Sequence, residues 1–185
     1  MHLLPPYQQI FVIVISALFK ILSSADNIPA FIFLSALTVK TADWYAGLQY
    51  TGVVQGDSLS PTLFNIFIKD LALFLKDMEV GVAVHDTQVP ILMYADDVVI
   101  LANDEDELQH MLNLVDRWCK TWKMSINKSK TKAMHFRHRN TNQCMKSLNL
   151  GTAKIEYTSC YKYLGVYINE FLDFDQHCNL LSEAG

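Results

Sequence analysis

The sequence lacks the residue patterns from which most zinc and disulfide sites are built. Its cysteines are few and widely spaced, with no Cys-x-x-Cys pair: Cys119, Cys144, Cys160 and Cys178. Zinc sites and redox motifs place cysteines close together in sequence, and disulfide frameworks are typical of small secreted domains. The histidines form no cluster at ligand spacing either. These absences argue against a zinc module and predict reduced thiols in an intracellular protein of the nucleus or cytoplasm.

Long apolar runs and glycine-rich phosphate loops are also missing. The two apolar runs, residues 10–22 and 30–37, are shorter than the ~18 residues that a membrane-spanning helix needs. No lysine or arginine precedes the first run, as a signal peptide requires. We therefore interpret residues 10–22 as a buried helix or a foreign, mis-joined segment. A membrane anchor over residues 10–37 stays an alternative.

Charge is scarce and unevenly distributed. Charged residues make up 18% of the 185 positions, the net charge is −4 and the pI is near 5.8, whereas free-standing nucleic-acid binders are usually basic. However, nine of the fifteen basic side chains lie between residues 117 and 146, a stretch without any acid. The hydrophobic content of 51% suffices for one packed domain, or a fragment of a larger one.

The apolar periodicity predicts alternating helices and strands. Ser60-Pro61 favours a helix start, and apolar residues recur every three or four positions to about Met78. Residues 89–94 and 98–102 flank Ala95-Asp96-Asp97 as two apolar runs, which indicates a hairpin. Further strands are predicted at residues 131–136, 154–157 and 161–168.

A second helix is predicted after the hairpin. Asn103 or Asp104 can cap it, and three acids follow in its first turn, where the helix dipole favours negative charge. Trp118 and Trp122 lie on its apolar stripe, so we expect them in the core rather than stacked on nucleic-acid bases. The pattern predicts an α+β fold, an antiparallel sheet with helices packed on one face.

Two adjacent acids, Asp96 and Asp97, are the sharpest chemical feature. Acids between two apolar strands are costly unless water or a cation compensates their charge. With no histidine or cysteine nearby, oxygen ligands would favour Mg²⁺ or Mn²⁺. A solvated hairpin tip is the alternative, because Asp is common in turns.

Four segments resemble the motifs of reverse transcriptases and occur in the same order. They are most similar to the motifs of non-LTR (LINE-type) retrotransposon polymerases. They are Gly52-Val53-Val54-Gln55-Gly56-Asp57-Ser58-Leu59-Ser60-Pro61, Met93-Tyr94-Ala95-Asp96-Asp97-Val98-Val99-Ile100-Leu101-Ala102, Ile126-Asn127-Lys128-Ser129-Lys130-Thr131-Lys132 and Tyr161-Lys162-Tyr163-Leu164-Gly165-Val166. Each is only moderately specific, but the ordered set is highly specific. The resemblance implies a truncated reverse-transcriptase palm over residues 47–170, an apolar N-terminal segment outside the family's pattern (1–46) and the start of a C-terminal extension (171–185).

The resemblance also implies roles for individual residues in two-metal phosphoryl transfer. The catalytic set would be Asp96, Asp97 and Lys130, with Asp96 and Asp97 as metal ligands. Residues toward nucleotide and template would be Gln55, Gly56, Tyr94 and Ala95. The primer grip would be Tyr163, Leu164 and Gly165. Phosphate contacts would be Lys128, Lys132, Arg137 and Arg139. Taken singly, Gln55-Gly56 also fits an ordinary polar loop, and Lys130 an ordinary exposed lysine.

One part of the family's pattern is missing. The family carries another catalytic aspartate well upstream of the glutamine, in a strand followed by an Ala-Phe-Asp-like sequence. Here the only upstream acids are Asp26 and Asp43, which lack those neighbours and lie too near Gln55. We therefore expect the chain alone to be inactive or nearly so. Three hypotheses follow: a polymerase fragment using RNA template, DNA primer and deoxynucleoside triphosphates, a non-catalytic remnant that binds nucleic acid weakly, and a membrane-associated protein.

Overall fold

The computed structural model describes residues 9–16, 20–21, 58, 60–122, 124–143 and 146–183. Its helices are α1 (Ser60–Lys76), α2 (Glu105–Thr121) and α3 (Asp175–Glu183). Its strands are β1 (Ile10–Ser16), β2 (Lys20–Ile21), β3 (Val82–Val84), β4 (Thr87–Val89), β5 (Ile91–Tyr94), β6 (Asp97–Ala102), β7 (Met124–Ser125), β8 (Lys132–Phe136), β9 (Leu148–Leu150), β10 (Ala153–Tyr157), β11 (Cys160–Tyr163) and β12 (Val166–Asn169).

A six-stranded sheet organises these elements, in the order β5-β6-β1-β8-β10-β9. Strand β1 pairs antiparallel with both β6 and β8, whereas β10 runs parallel to β8. The sheet is therefore mixed, and the prediction of a purely antiparallel sheet is wrong at this one pairing. The α+β class is confirmed.

The first apolar run forms the central strand rather than a buried helix, so that interpretation is wrong for Ile10–Ser16. Valine and isoleucine alternate through it, and such β-branched residues favour strands. Residues 11–15 are all nearly inaccessible to solvent, as expected of a strand covered on both faces. No helix in the described part of the chain is long and apolar enough to cross a membrane.

One face of the sheet packs against α1 and α2. Ile13, Ile15, Val98 and Ile100 point into this core together with the apolar sides of both helices. The two helices are joined by an aromatic cluster of Phe67, Trp118 and Trp122. The indole Nε1 of Trp118 also donates a hydrogen bond of 2.9 Å to Asp70 Oδ2. The prediction that both tryptophans belong to the core is confirmed.

The start of α2 is held by side-chain hydrogen bonds. Asp104 is its N-cap, and its carboxylate accepts from the backbone N–H of Glu107 at 2.8 Å, which confirms one of the two predicted caps. The Glu107 carboxylate accepts from the backbone N–H groups of Asn103 and Gly81 at 2.7 and 2.8 Å. Since Gly81 precedes the β3–β4 hairpin, this one carboxylate joins that hairpin to the helix.

The segment predicted as a single strand at residues 161–168 is instead a hairpin. Strands β11 and β12 pair through a two-residue turn, Leu164-Gly165. Both residues have positive φ, 48° and 87°, as tight hairpins prefer. The predicted helix from Ser60, the hairpin around the acid pair and the strands near residues 131–136 and 154–157 are confirmed.

Replacing Gly81 with alanine should destabilise the fold. Gly81 has a φ of 107°, and an added Cβ would lie 2.4 Å from the Cα of Pro90. We expect Gly81→Ala to lower the free energy of unfolding by about 2 kcal/mol or more, measured by urea denaturation. Gly165→Ala is the control, because its φ is also positive but no atom lies within 4 Å of the added Cβ. It should cost only about 1 kcal/mol, and equal losses in both variants would contradict the close packing at Gly81.

The buried imidazole of His135 should make stability depend on pH. It stacks on Phe11 with ring centroids 4.2 Å apart, and burial, together with Arg137, lowers its pKa from 6.5. The unfolded chain therefore takes up a proton below about pH 6.5 while the folded chain resists it. Stability should be full above that pH and fall toward pH 5. His135→Gln should flatten this dependence in pH-dependent urea denaturation, and an unaltered slope in this variant would disprove the assignment.

Candidate functional site

The acid pair lies at the end of the β5–β6 hairpin. Tyr94 and Asp97 are paired across the hairpin, so Ala95 and Asp96 form its two-residue turn. Ala95 has a φ of 52°, a left-handed conformation that is strained for a residue with a Cβ. Asp96 is exposed and Asp97 half-buried. The turn thus holds two carboxylates at the edge of the sheet, next to the exposed ring of Tyr94.

Asp97 belongs to the sheet face opposite the helices. Side chains alternate along a strand, so Asp97 shares this face with Val99 and Leu101, while Val98 and Ile100 point into the helix-covered core. The neighbouring strand β1 runs alongside, with the backbone of Ser16 paired to Asp97 and Val14 paired to Val99. We call this side of the sheet the Asp97 face.

The β11–β12 hairpin covers part of the Asp97 face. Tyr161 and Tyr163 pack against Val12, Val14 and Val99. Burial raises the pKa of the Tyr163 phenol, and the charge of the Asp97 carboxylate raises it further. The predicted primer-grip tyrosine and one acid of the predicted catalytic pair are therefore close enough to interact.

The asparagine-lysine segment approaches the same hairpin. The Asn127 side-chain oxygen accepts from the backbone N–H groups of Ser129 and Lys130 at 3.2 and 3.3 Å, which shapes a turn that exposes Lys128 and Lys130. The hydroxyl of Tyr161 donates to the backbone carbonyl of Lys130 at 3.4 Å. Lys130 is thereby placed beside the β11–β12 hairpin.

Three of the four predicted phosphate contacts are already ion-paired within the chain. Lys132 Nζ lies 2.5 Å from a Glu156 carboxylate oxygen, and Arg139 pairs with Asp173. The Arg137 side chain, only 12% exposed, contacts Glu170 at 2.9 Å. Both guanidinium groups also lie over the Phe171 ring, at 4.8 and 4.6 Å from its centroid. The side chain of the fourth, Lys128, is exposed, and no ion pair joins it to another residue of the described part of the chain.

The remaining predicted site residues divide into two groups. Gln55 and Gly56 lie outside the described residues. Leu164 and Gly165 form the exposed tip of the β11–β12 hairpin. The structure thus places Tyr163 near Asp97 and the backbone of Lys130 beside Tyr161 of the same hairpin, while the roles of all these residues stay predictions.

Comparison with known proteins decides the family. The model of the family described as reverse transcriptase (RNA-dependent DNA polymerase) matches residues 13–168. The chain belongs to this family. The match begins at residue 13. This start lies inside the N-terminal segment, residues 1–46, which the motifs alone place outside the reverse-transcriptase core.

The similar curated proteins are polymerases of mobile elements. The RNA-directed DNA polymerases from mobile element jockey of Drosophila melanogaster and Drosophila funebris are 30% and 31% identical over 139 residues, or 72% of this chain and 14% of each relative. The Pol polyprotein from type-1 retrotransposable element R1 2 of Nasonia vitripennis is 28% identical over 137 residues, 68% of this chain and 31% of that protein. The chain thus spans less than a third of these relatives, and the expected kinship to non-LTR retrotransposon reverse transcriptases is confirmed.

The described residues do not fit a shared pair of divalent cations, the arrangement on which many polymerases depend. Two-metal sites share carboxylates between ions about 4 Å apart, and Asp96 and Asp97 are the carboxylates at this turn. No group of three or more His, Cys, Asp or Glu side chains able to hold a metal occurs among the described residues. Strand β1, which flanks Asp97, presents Val12 and Val14 on the Asp97 face.

The sequence patterns described above do not predict the contribution of β1 to the site. The signal for it is the β-branched composition of a short apolar run, seven residues long in β1, which distinguishes a buried strand from a helix. This composition makes the strand preceding the acid pair a candidate neighbour for it.

The proximity of Tyr163 to Asp97 can be tested by titration. Because the Asp97 carboxylate raises the pKa of Tyr163, Asp97→Asn should lower that pKa, although not to the ordinary value because burial persists. The measurement is an NMR titration of ¹³C-labelled tyrosine, with Tyr163→Phe to assign the signal. Asp96→Asn serves as the matched control and should leave the Tyr163 titration unchanged. A Tyr163 pKa that is the same in Asp97→Asn as in the parent would refute the proximity.

Proposed function

We propose that this chain is part of the palm of a retrotransposon RNA-directed DNA polymerase. In the intact enzyme this region would contact an RNA template, a DNA primer and a deoxynucleoside triphosphate, with Mg²⁺ or Mn²⁺ at the acid pair. The observation that carries the proposal is the position of the β11–β12 hairpin, where Tyr163 lies near Asp97 and Tyr161 contacts the backbone of Lys130. Three motifs that are separate in sequence lie beside one another there, which supports a site with acids, a primer contact and a cation.

We further propose that the chain does not catalyse nucleotidyl transfer by itself. A cation bound only by Asp96 and Asp97 lacks the further carboxylate that a shared pair of metal ions requires. The strand beside them supplies valines instead. The chain's own residues can present the acid pair, orient a primer end through Tyr163 and place positive charge near phosphate through Lys130, but they do not complete the chemistry.

Primer extension tests this proposal directly. With an RNA template, a DNA primer and either Mg²⁺ or Mn²⁺, we expect no extension above the background of the Asp96→Ala, Asp97→Ala double variant. The reason is that the acid pair alone cannot hold both reacting oxygens in place. Extension by the parent chain that the double variant abolishes would show that the chain is a working polymerase and would contradict its inactivity.

A second candidate function is weak nucleic-acid binding without catalysis. It is favoured by the turn at residues 127–131, which exposes Lys128 and Lys130. Lysines of this kind bind phosphate by releasing counterions, so binding should weaken as salt rises. By contrast, Lys132, Arg137 and Arg139 would each have to give up an internal carboxylate partner.

Removing the two exposed lysines should weaken binding and its dependence on salt. For single-stranded RNA, the slope of log affinity against log salt should fall by about 1.4 in Lys128→Ala, Lys130→Ala, measured by fluorescence anisotropy. The matched control is Lys69→Ala, Lys76→Ala, which removes the same charge from exposed positions on α1 on the other side of the sheet. Equal losses in the two double variants would indicate a non-specific charge effect and argue against this surface.

A further inference from the structure

The sheet beside Asp97 is a closed apolar surface. Val12 and Val14 are 3% and 6% exposed, and with Val99 they form a small cluster of their own on the Asp97 face. Tyr161 and Tyr163 pack over the cluster. A divalent cation needs several oxygen ligands and retains bound water, so this surface offers it neither ligands nor room for its hydration.

The charge next to the cluster also disfavours a cation. Val14 lies between two strands, paired with Val99 on β6 and with Lys132 on β8. Side chains of paired residues lie on the same face of a sheet, so position 14 has a lysine as its neighbour on one side. The Lys132 ammonium forms an ion pair with Glu156. The Glu156 carboxylate therefore already has a cationic partner that is not a metal.

We infer that Val14 occupies the place where this site lacks a cation ligand, so that the chain binds at most one divalent ion. Among the β1 residues on the Asp97 face whose side chains the structure describes, Val14 lies nearest the acid turn: it pairs with Val99, the next residue after Asp97 on the same face of β6. This inference rests on the proposed function, because it concerns the metal site of that same polymerase core. A carboxylate installed at position 14 would join Asp97 on the same face and provide the missing ligand.

Manganese binding tests the inference without relying on activity. Five proteins are titrated with Mn²⁺ and followed by electron paramagnetic resonance and by thermal unfolding. They are the parent chain, the double variant Asp96→Ala/Asp97→Ala, and the single variants Val14→Asp, Val14→Asn and Val12→Asp. Val14→Asn is the matched control, because asparagine has nearly the same shape as aspartate but carries no charge. Val12→Asp places the same acid on the same face but farther from the turn, opposite Leu101.

We expect the parent to bind one Mn²⁺ or none, with any binding lost in the double alanine variant. Val14→Asp should bind Mn²⁺ at least about tenfold more tightly than Val14→Asn, since metal affinity rises with the number of charged ligands. An aspartate in an apolar cluster is destabilising without a cation, so Mn²⁺ should raise the melting temperature of Val14→Asp and not that of Val12→Asp.

Two results would overturn the inference. One is a parent chain that binds two Mn²⁺ ions, both dependent on the acid pair. The other is a Val14→Asp variant that gains no Mn²⁺ affinity over Val14→Asn, or that stays unfolded in saturating Mn²⁺ while Val14→Asn folds. Neither result depends on primer extension, so a failure of this inference is distinguishable from a failure of the proposed inactivity.

Discussion

The pairing of β1 with β6 and β8 is the constraint on which the rest of the structure depends. Ile13 and Ile15 fill the core under the helices, while Val12 and Val14 form the apolar cluster on the Asp97 face. Burying such side chains stabilises the fold by roughly 2 kcal/mol each. The same strand therefore holds the two layers together and determines which side chains surround the acid pair.

This double role of β1 agrees with the proposal that the chain keeps its fold with an incomplete metal site. Valine at positions 12 and 14 favours the strand and its packing, so no structural penalty follows from the absence of an acid there. A carboxylate at position 14 would be costly unless a cation or Lys132 compensated it. The stability of the sheet and the chemistry of the site place opposite demands on this one position.

Much of the fold could be predicted from local pattern, but not the placement of β1. The helix after Ser60, the hairpin around Asp96-Asp97 and the cap at Asp104 follow from periodicity and capping, which are read within a few residues. The sequence of the β11–β12 hairpin predicts one continuous strand, because a leucine such as Leu164 rarely adopts the positive φ of a tight turn. Strand β1 pairs with partners more than 80 residues away in sequence, and no local signal specifies such partners.

The residues of the candidate site likewise divide into those that local sequence predicts and those that it does not. The acid pair is predictable from its place in an apolar hairpin, and Tyr163 and Lys130 from the resemblance, whereas the valines beside Asp97 and the internal partners of Arg137 and Arg139 depend on tertiary contacts. Val14 shares a face with Asp97 only in this register of β1, because a slip of one residue would turn every β1 side chain to the other face. Cross-strand backbone NOEs measure that register, and we expect contacts between Ile13 and Ile100 and between Val14 and Val99. Contacts shifted by one residue, or none between β1 and β6, would contradict it.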